Sequence, residues 1–387
     1  MRTWPRILAL MVFGLAVGLV LTEVALRFVP WPERRAHLTS DPERHHRLRP
    51  GWQGIVQGFP YRVNALGLRE RELATPKPAG TTRIVMLGDS FTEGGGLADA
   101  DTVPRRVEAA LSARCAGVEV VNAGTASYSP ILEYLVLRDI GPALRPDLVV
   151  LNFDMTDVHD DLVRTALADL DADGLPLRVG NDRRRETALL LPPVLPPPLR
   201  MVDTAVSGTA VWQAARRSSV GRRVAGELNL DEPTLAARGL LGDLRYDRLA
   251  ITRDTAPPDE AAAWATTTRY LAGIQRLAAG LGARFAVVAY PYPHQVAAHE
   301  APDGRARFGI GPGLYATDRP FRTVQAIGAR HAFPVISLHE TFRRHADPAR
   351  PLFRANDIHH TAAGARVMAD AIAAELLARA LVPGCRA

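Results

Sequence analysis

Apolar residues in the first half of the chain form short continuous runs, each closed by glycine or polar residues. The clearest run covers residues 84–87 and stops at Gly88. Unbroken runs of this length are typical of strands that are buried on both faces of a parallel sheet. With the helical segments between them, residues 81–157 predict two βα units and a third strand, and residues 284–290 and 333–338 predict later strands. The pattern therefore indicates an α/β fold with a parallel sheet.

This alternation of strands and helices fails from residue 158 to about residue 260. The stretch contains a proline-rich run at residues 191–198, which excludes a helix or a central strand there. Short helices are expected around residues 211–228. Because the stretch follows the third strand, it leaves the sheet at the edge where open α/β sheets carry their chemistry. We predict a helical insertion that forms a lid.

The N-terminus carries an uncharged apolar run at residues 7–22. A membrane span needs about 20 apolar residues, but Arg27 can extend toward the interface, and Trp4 and Trp31 suit the two interfaces. A cleaved signal peptide is the alternative, and an uncleaved anchor is favoured because no small-x-small cleavage site follows Leu21. We expect a single-pass protein of the inner (cytoplasmic) membrane, with its large domain facing the periplasm.

Two polar groups carry the candidate chemistry. Ser90 directly follows the first predicted strand, so it lies on a strand-to-helix turn at the carboxyl edge of the sheet. A serine is a weak nucleophile unless a base activates it. Asp357 stands two residues before His359, on a loop that leads into an alanine-rich helix. A carboxylate in this position can orient the imidazole and leave its other nitrogen for the serine, so the pattern indicates Ser-His-Asp hydrolase chemistry.

Four blocks resemble the SGNH/GDSL hydrolase superfamily, in the order that is usual for it. Four ordered blocks are a specific signal, whereas a lone Gly-Asp-Ser is not. The resemblance covers roughly residues 45–160 and 280–380. The blocks are GDSFTEG at residues 88–94, VNAG at 121–124, PDLVVL at 146–151 running to Thr156-Asp157, and DIHHTAAG at 357–364.

The resemblance implies a flavodoxin-like three-layer α/β/α sandwich with a parallel sheet. It also implies that Ser90 is the nucleophile, His359 the general base and Asp357 the group that orients the base. The oxyanion hole would be formed by the backbone amides of Ser90 and Gly124, with Thr156 in the position of a third donor.

The third oxyanion donor departs from the family pattern. Where the family usually has Gly-x-Asn-Asp, residues 154–157 read DMTD, so Thr156 replaces the asparagine. A threonine hydroxyl can donate one hydrogen bond but is shorter than an amide side chain. Loss of one oxyanion donor can cost about 100- to 1,000-fold in rate. Activity is favoured because the nucleophile and base are both present, and a fold retained without catalysis is the alternative.

Several nearby residues have a second interpretation. His360 is an alternative base, and the family spacing favours His359. Asp89 is expected to fix the turn through local hydrogen bonds, and Asn122 is expected to hold the loop that carries Gly124.

Metal and thiol chemistry receive little support. The acidic run at residues 169–174 lacks the later glutamate of a calcium loop, since that position holds Gly180, and a hairpin turn is favoured. Cys115 and Cys385 are the only cysteines; an outward-facing domain permits a disulfide between them, and free thiols are the alternative. We expect no metal and no diffusible cofactor.

The composition narrows the range of partners. The 387-residue chain is 47% hydrophobic, which supports a sizeable core, and carries a net charge of +6. Its basic residues form no stripe with interleaved aromatic residues, so no nucleic acid partner is expected.

We therefore predict a serine esterase of the SGNH type that acts through an acyl-serine intermediate. Its expected substrate is an acylated carbohydrate of the cell envelope, or another ester, with a short acyl group such as acetyl. The alternatives are an O-acetyltransferase acting on a polysaccharide and a non-catalytic envelope-binding protein. The predicted parts are a membrane anchor (1–28), a polar membrane-proximal stalk (29–80), the first part of the hydrolase domain (81–160), the insertion (161–279) and the second part of the hydrolase domain (280–387).

Overall fold

The computed structural model describes residues 4–28, 37–181, 236–237, 239–240, 242–307, 310–311, 313 and 315–385. The proline-rich run at residues 191–198 and the helices expected around residues 211–228 lie outside the described residues.

Helix α1 (Trp4–Phe28) contains the 20-residue segment Arg6–Ala25, which has a mean hydropathy of 2.4. None of this segment is buried against the rest of the protein. The helix is long and apolar enough to cross a membrane, although a signal sequence meets the same criteria.

Two antiparallel hairpins follow within the segment that was predicted to be a stalk. Strand β1 (Leu38–Asp41) pairs with β2 (His45–Leu48), and β3 (Gln53–Val56) pairs with β4 (Phe59–Arg62). Their buried apolar side chains form a small cluster of their own, made of Leu48, Val56, Tyr61 and Val63.

The central sheet has five parallel strands among the described residues. The remaining strands, in chain order, are β5 (Thr82–Gly88), β6 (Val118–Gly124), β7 (Leu148–Phe153), β8 (Ala168–Leu170), β9 (Pro176–Val179), β10 (Arg284–Ala289) and β11 (Val335–Ser337). In the central sheet, strand β5 lies between β6 and β7, and β10 and β11 continue the sheet beyond β7. This is the flavodoxin-like order, so the predicted fold is confirmed.

Helices form the layers on both sides of the sheet. The described helices after α1 are α2 (Ser90–Glu93), α3 (Val103–Ser112), α4 (Pro130–Leu144), α5 (Asp157–Thr165), α6 (Glu260–Gly280), α7 (Pro293–Val296), α8 (Pro302–Arg307), α9 (Arg319–His331), α10 (His339–His345) and α11 (Ala362–Ala378). Helix α3 packs against α11, and α6 packs against α4 and α5. Helix α6 lies within the predicted insertion at residues 161–279, yet it packs in a layer beside the sheet.

Two local features answer questions that the sequence left open. Cys115 and Cys385 form a disulfide that joins the chain just after α3 to the chain just after α11. The acidic run at residues 169–174 lies in the β8–β9 hairpin, where the Asp171 side chain accepts hydrogen bonds from the amides of Asp173 and Leu175.

Candidate active site

The turn that carries Ser90 is fixed by glycine geometry and by a helix cap. Gly88 ends strand β5 at a φ of +155°, and a side chain there would clash with Thr92. The next residue, Asp89, caps helix α2 by accepting a hydrogen bond from the Phe91 amide at 2.9 Å. Ser90 is thereby the first residue of α2, at the carboxyl end of a central strand.

The structure brings the three predicted catalytic side chains together. Ser90 Oγ lies 2.7 Å from His359 Nε2, and His359 Nδ1 lies 2.7 Å from Asp357 Oδ1. The three groups therefore form one continuous line of hydrogen bonds, in the arrangement that lets a base take the serine proton.

The loop that carries Asp357 and His359 is fixed by backbone hydrogen bonds. The Arg354 amide donates to the His359 carbonyl at 3.0 Å, and the Thr361 amide donates to the Leu352 carbonyl at 2.9 Å. Thr361 then caps helix α11 by accepting from the Gly364 amide. The loop therefore holds the imidazole at a defined distance from Ser90.

Asp357 stays ionised beside its histidine. Burial alone would raise the pKa of Asp357, but the hydrogen bond and charge of His359 and the nearby charge of Arg354 lower that pKa overall. An ionised carboxylate is the form that stabilises a positively charged imidazole.

His360 is placed differently from His359. Its side chain is buried against the rings of Phe91, Phe342 and Phe353. Neither ring nitrogen has a hydrogen-bond partner among the described residues. Burial, with the nearby charges of His359 and Arg354, lowers the pKa of His360 to about 3. This histidine is an aromatic-core residue, so His359 is the one that faces the serine.

The three candidate oxyanion donors differ in their present partners. The Ser90 amide has no hydrogen-bond acceptor among the described residues. The Gly124 amide donates to Asn122 Oδ1 at 3.1 Å, so Asn122 does hold the loop that carries Gly124. The Thr156 hydroxyl donates its one proton to Asp154 Oδ1 at 2.7 Å. An oxyanion would therefore have to compete with Asp154 for the Thr156 proton.

The structure adds a buried pair of acids that the sequence did not reveal. Asp89 and Asp154 lie on either side of the Tyr290 hydroxyl, at 3.1 Å and 3.2 Å. Tyr292 donates to Asp154 as well, at 2.8–2.9 Å. Burial, followed by the negative charge of Asp154, raises the pKa of Asp89. The sequence feature that could have indicated this acid pair is Asp154 itself, which occupies the position where the family usually has glycine.

The segment predicted to be a stalk contacts the helix that carries the nucleophile. Tyr61 of β4 donates to Glu93 of α2 at 2.7 Å. Arg69 donates to the backbone carbonyls of Glu93, Gly94 and Leu97 and stacks 4.4 Å above the ring of Tyr61. These contacts fix the C-terminal end of α2.

His294, which leaves the same edge of the sheet, is buried and shares a 3.0 Å hydrogen bond with Thr252. Burial lowers its pKa to about 3.

Among the described residues, no group of three or more His, Cys, Asp or Glu side chains is placed to hold a metal ion.

Comparison with known proteins relates the second part of this chain to one family. Residues 251–385 match the family described as the SGNH hydrolase-like domain of acetyltransferase AlgX. This match confirms the SGNH/GDSL resemblance and supports an enzyme that acts on esters by acyl transfer or hydrolysis. No curated protein matches the chain.

Solved structures similar to this chain include TesA, a lipase/acylhydrolase and an acetylxylan esterase. TesA is 12% identical, with 76% of this chain and 98% of TesA covered and a TM-score of 0.39. The lipase/acylhydrolase from Enterococcus faecalis is 13% identical, with 79% and 100% covered and a TM-score of 0.39. A catalytic mutant of Axe2, an acetylxylan esterase from Geobacillus stearothermophilus, is 14% identical, with 77% and 95% covered and a TM-score of 0.39.

Proposed function

We propose that this protein is a serine esterase that removes a short acyl group, such as acetyl, from a carbohydrate of the cell envelope. The observation that carries the proposal is the unbroken line of 2.7 Å contacts from Ser90 through His359 to Asp357. The match to a domain family that includes an acetyltransferase supports acetyl as the acyl group.

In the proposed reaction, Ser90 Oγ attacks the ester carbonyl carbon while His359 Nε2 takes the serine proton. The carbonyl oxygen becomes an oxyanion, which the Ser90 amide and other donors of the turn stabilise. The C–O bond to the sugar then breaks, and His359 returns the proton to the departing alcohol. Water, activated by the same histidine, attacks the acyl-serine and releases the carboxylic acid and free Ser90. Asp357 holds the imidazole and stabilises its charged form throughout.

An O-acetyltransferase is the second candidate, and the family match favours it specifically. The two reactions share every step up to the acyl-serine. They differ in the group that attacks this intermediate, which is water in the esterase and a polysaccharide hydroxyl in the transferase.

The proposed location is the periplasmic face of the inner membrane, with α1 as an uncleaved anchor. The apolar segment Arg6–Ala25 supports the anchor. The disulfide between Cys115 and Cys385 supports an oxidising compartment, since such bonds are rare in the cytosol.

The test is fluorophosphonate labelling of the full-length protein in detergent, with hydrolysis of p-nitrophenyl acetate measured in parallel. We expect Ser90→Ala to abolish labelling and His359→Ala to reduce turnover by about 10⁴-fold or more. His345→Ala is the matched control, because His345 is exposed on α10 and its one side-chain hydrogen bond among the described residues is to the Thr341 carbonyl. If folded wild-type protein neither labels nor turns over, the non-catalytic binding protein replaces the esterase as the explanation.

The acceptor is identified in the same assay by adding an acetylated polysaccharide together with an unacetylated one. Release of free acetate alone supports the esterase. Acetyl transfer to the second polysaccharide, lost in Ser90→Ala, supports the transferase.

A further inference from the structure

Asp89 and Asp154 place two carboxyl groups around one tyrosine hydroxyl in the interior of the protein. Both aspartates are buried, and the Tyr290 hydroxyl lies 3.1 Å from Asp89 Oδ1 and 3.2 Å from Asp154 Oδ2. An ionised carboxylate only accepts hydrogen bonds, so two ionised carboxylates would have to share the single proton of that hydroxyl.

The geometry at the Tyr290 hydroxyl indicates a proton on one of the two carboxyl groups. The hydroxyl lies within hydrogen-bond distance of both carboxyl groups, but it has a single proton to donate. When that proton goes to one carboxyl oxygen, the other oxygen faces a lone pair of the tyrosine. A hydrogen on that second carboxyl group, donated to the tyrosine oxygen, turns this contact into a full hydrogen bond.

The charged and titratable groups around Asp89 and Asp154 supply little positive charge to compensate two ionised carboxylates. Arg248 acts on Asp154, but its guanidinium is hydrogen-bonded to Asp160. Asp157 of α5 and Glu133 of α4 are further buried carboxyl groups close enough to interact with Asp154. Tyr290 and Tyr292 are the titratable groups that follow β10, and burial followed by the charge of the acids raises the pKa of each. Two full negative charges would therefore be poorly compensated here.

The pair also contacts the nucleophile. Asp89 Oδ2 lies 3.3 Å from Ser90 Oγ, on which His359 Nε2 also converges at 2.7 Å. A fully ionised pair would compete with His359 for the serine proton and would repel an oxyanion that forms next to Ser90. A pair that carries only one charge has a weaker effect on both.

We propose that Asp89 and Asp154 form an acid pair that shares one proton throughout the pH range in which the enzyme works, and that this shared proton keeps the Ser90 hydroxyl directed at His359. The role in catalysis rests on the proposed esterase or transferase function. Both aspartates are positioning residues, since they act through Ser90. The shared proton also accounts for an aspartate at position 154, where the related family usually has glycine.

The experiment measures the shared proton and the reactivity of Ser90 in the same samples. Infrared difference spectra of full-length wild-type protein against Asp154→Asn report the carbonyl band of a protonated carboxyl group as pH is raised. The fluorophosphonate labelling rate is followed over the same pH values. In Asp154→Asn the amide supplies a permanent hydrogen and the pair keeps one negative charge, so we expect labelling at neutral pH to stay within about threefold of wild type. Asp161→Asn is the control, because it removes another buried carboxyl group that contacts neither Asp89 nor Ser90.

We expect the wild-type spectrum to show the band at neutral pH, and we expect band and labelling rate either to persist together or to fall together. If the band disappears as pH is raised, the wild-type labelling rate should drop tenfold for each further pH unit. The Asp154→Asn variant should show no such drop in labelling rate, whereas Asp161→Asn should show the same drop as wild type. Absence of the band at neutral pH overturns the proposal, as does a band that disappears with no change in labelling rate, or a rate that falls while the band persists. If Asp154→Asn does not fold, Asp89→Asn replaces it, since either amide supplies the same hydrogen. A wild-type protein that shows the band but never labels would contradict the proposed enzyme while leaving the shared proton established.

Discussion

Removing the guanidinium of Arg69 should destabilise the protein and slow the reaction of Ser90, although Arg69 lies outside the three proposed catalytic side chains. Arg69 is 2% exposed and donates to three backbone carbonyls at the C-terminal end of helix α2. Ser90 is the first residue of that helix, which is only four residues long. The change Arg69→Met removes the three hydrogen bonds and keeps most of the side-chain volume.

The expected loss in the free energy of unfolding depends on which hydrogen bonds the three carbonyls keep after the Arg69 donors are removed. The Glu93 carbonyl keeps the Asn122 side chain as a donor, and the Gly94 carbonyl keeps the Leu97 amide. The Leu97 carbonyl has no other donor among the described residues. Hydrogen bonds from a charged donor contribute about 1.5–3 kcal/mol each, and an orphaned buried carbonyl costs about 1–3 kcal/mol. Removing the buried guanidinium charge also removes the cost of burying it, which offsets part of this sum. We therefore expect the free energy of unfolding to fall by about 3 kcal/mol, which is a large fraction of the stability of a typical protein.

Urea unfolding and fluorophosphonate labelling test this prediction together. Because α2 is expected to shift, we predict that labelling of the folded variant slows by about 10- to 100-fold. Arg71→Met is the matched control, since the Arg71 side chain is 40% exposed and its ion pairs with Glu108 and Glu119 are worth less than about 1 kcal/mol each. Equal unfolding midpoints and labelling rates for the two variants would refute the reasoning.

Three further predictions concern parts of the fold that support the site. Burial alone would raise the pKa of Asp160, but the charges of Arg248 and Arg164 lower that pKa overall. Asp160 therefore stabilises the folded protein at pH values above the unfolded pKa of about 3.9, and this stabilisation is lost as pH falls below that value. Urea titrations at pH 7 and pH 3 should show a smaller loss of stability on acidification for Asp160→Asn than for wild type, and equal losses would contradict this account. The disulfide closes a loop of 270 residues, so Cys385→Ser should lower the free energy of unfolding by about 3–5 kcal/mol, measured without reductant; an unchanged value would argue against the bond. A Cβ at position 124 would clash with the backbone of α2, so Gly124→Ala should slow labelling at least about tenfold, and wild-type labelling would show that α2 moves aside at no cost.

The parts of the site that could be predicted are those encoded by local sequence. Ser90 follows an apolar strand and a glycine, and a strand-to-helix turn needs little more than those neighbours. His359 lies in a loop whose end is marked by the helix cap at Thr361, so its place in the chain was visible too. The parallel sheet followed from unbroken apolar runs such as residues 148–151, which are fully buried.

The parts that could not be predicted depend on contacts between distant segments. Tyr290 meets Asp89 and Asp154 only because β5, β7 and β10 end at the same edge of the sheet. The contact of Arg69 with α2 likewise depends on the fold of a segment whose composition favoured a solvated stalk. The commitment of the Thr156 hydroxyl to Asp154 could not be read from a residue type that is able to bond in several directions.

The separation of Ser90 and His359 by 269 positions affects when the site can form. The serine is synthesised in the first quarter of the chain, whereas His359 comes in the last tenth, on the loop that precedes α11. During synthesis, therefore, the growing protein carries Ser90 without its histidine partner until almost the whole chain has been made. Under the proposed function, any product that stops before the final loop keeps a serine with no base. The order of the sequence by itself delays the pairing of the two side chains until synthesis is nearly finished.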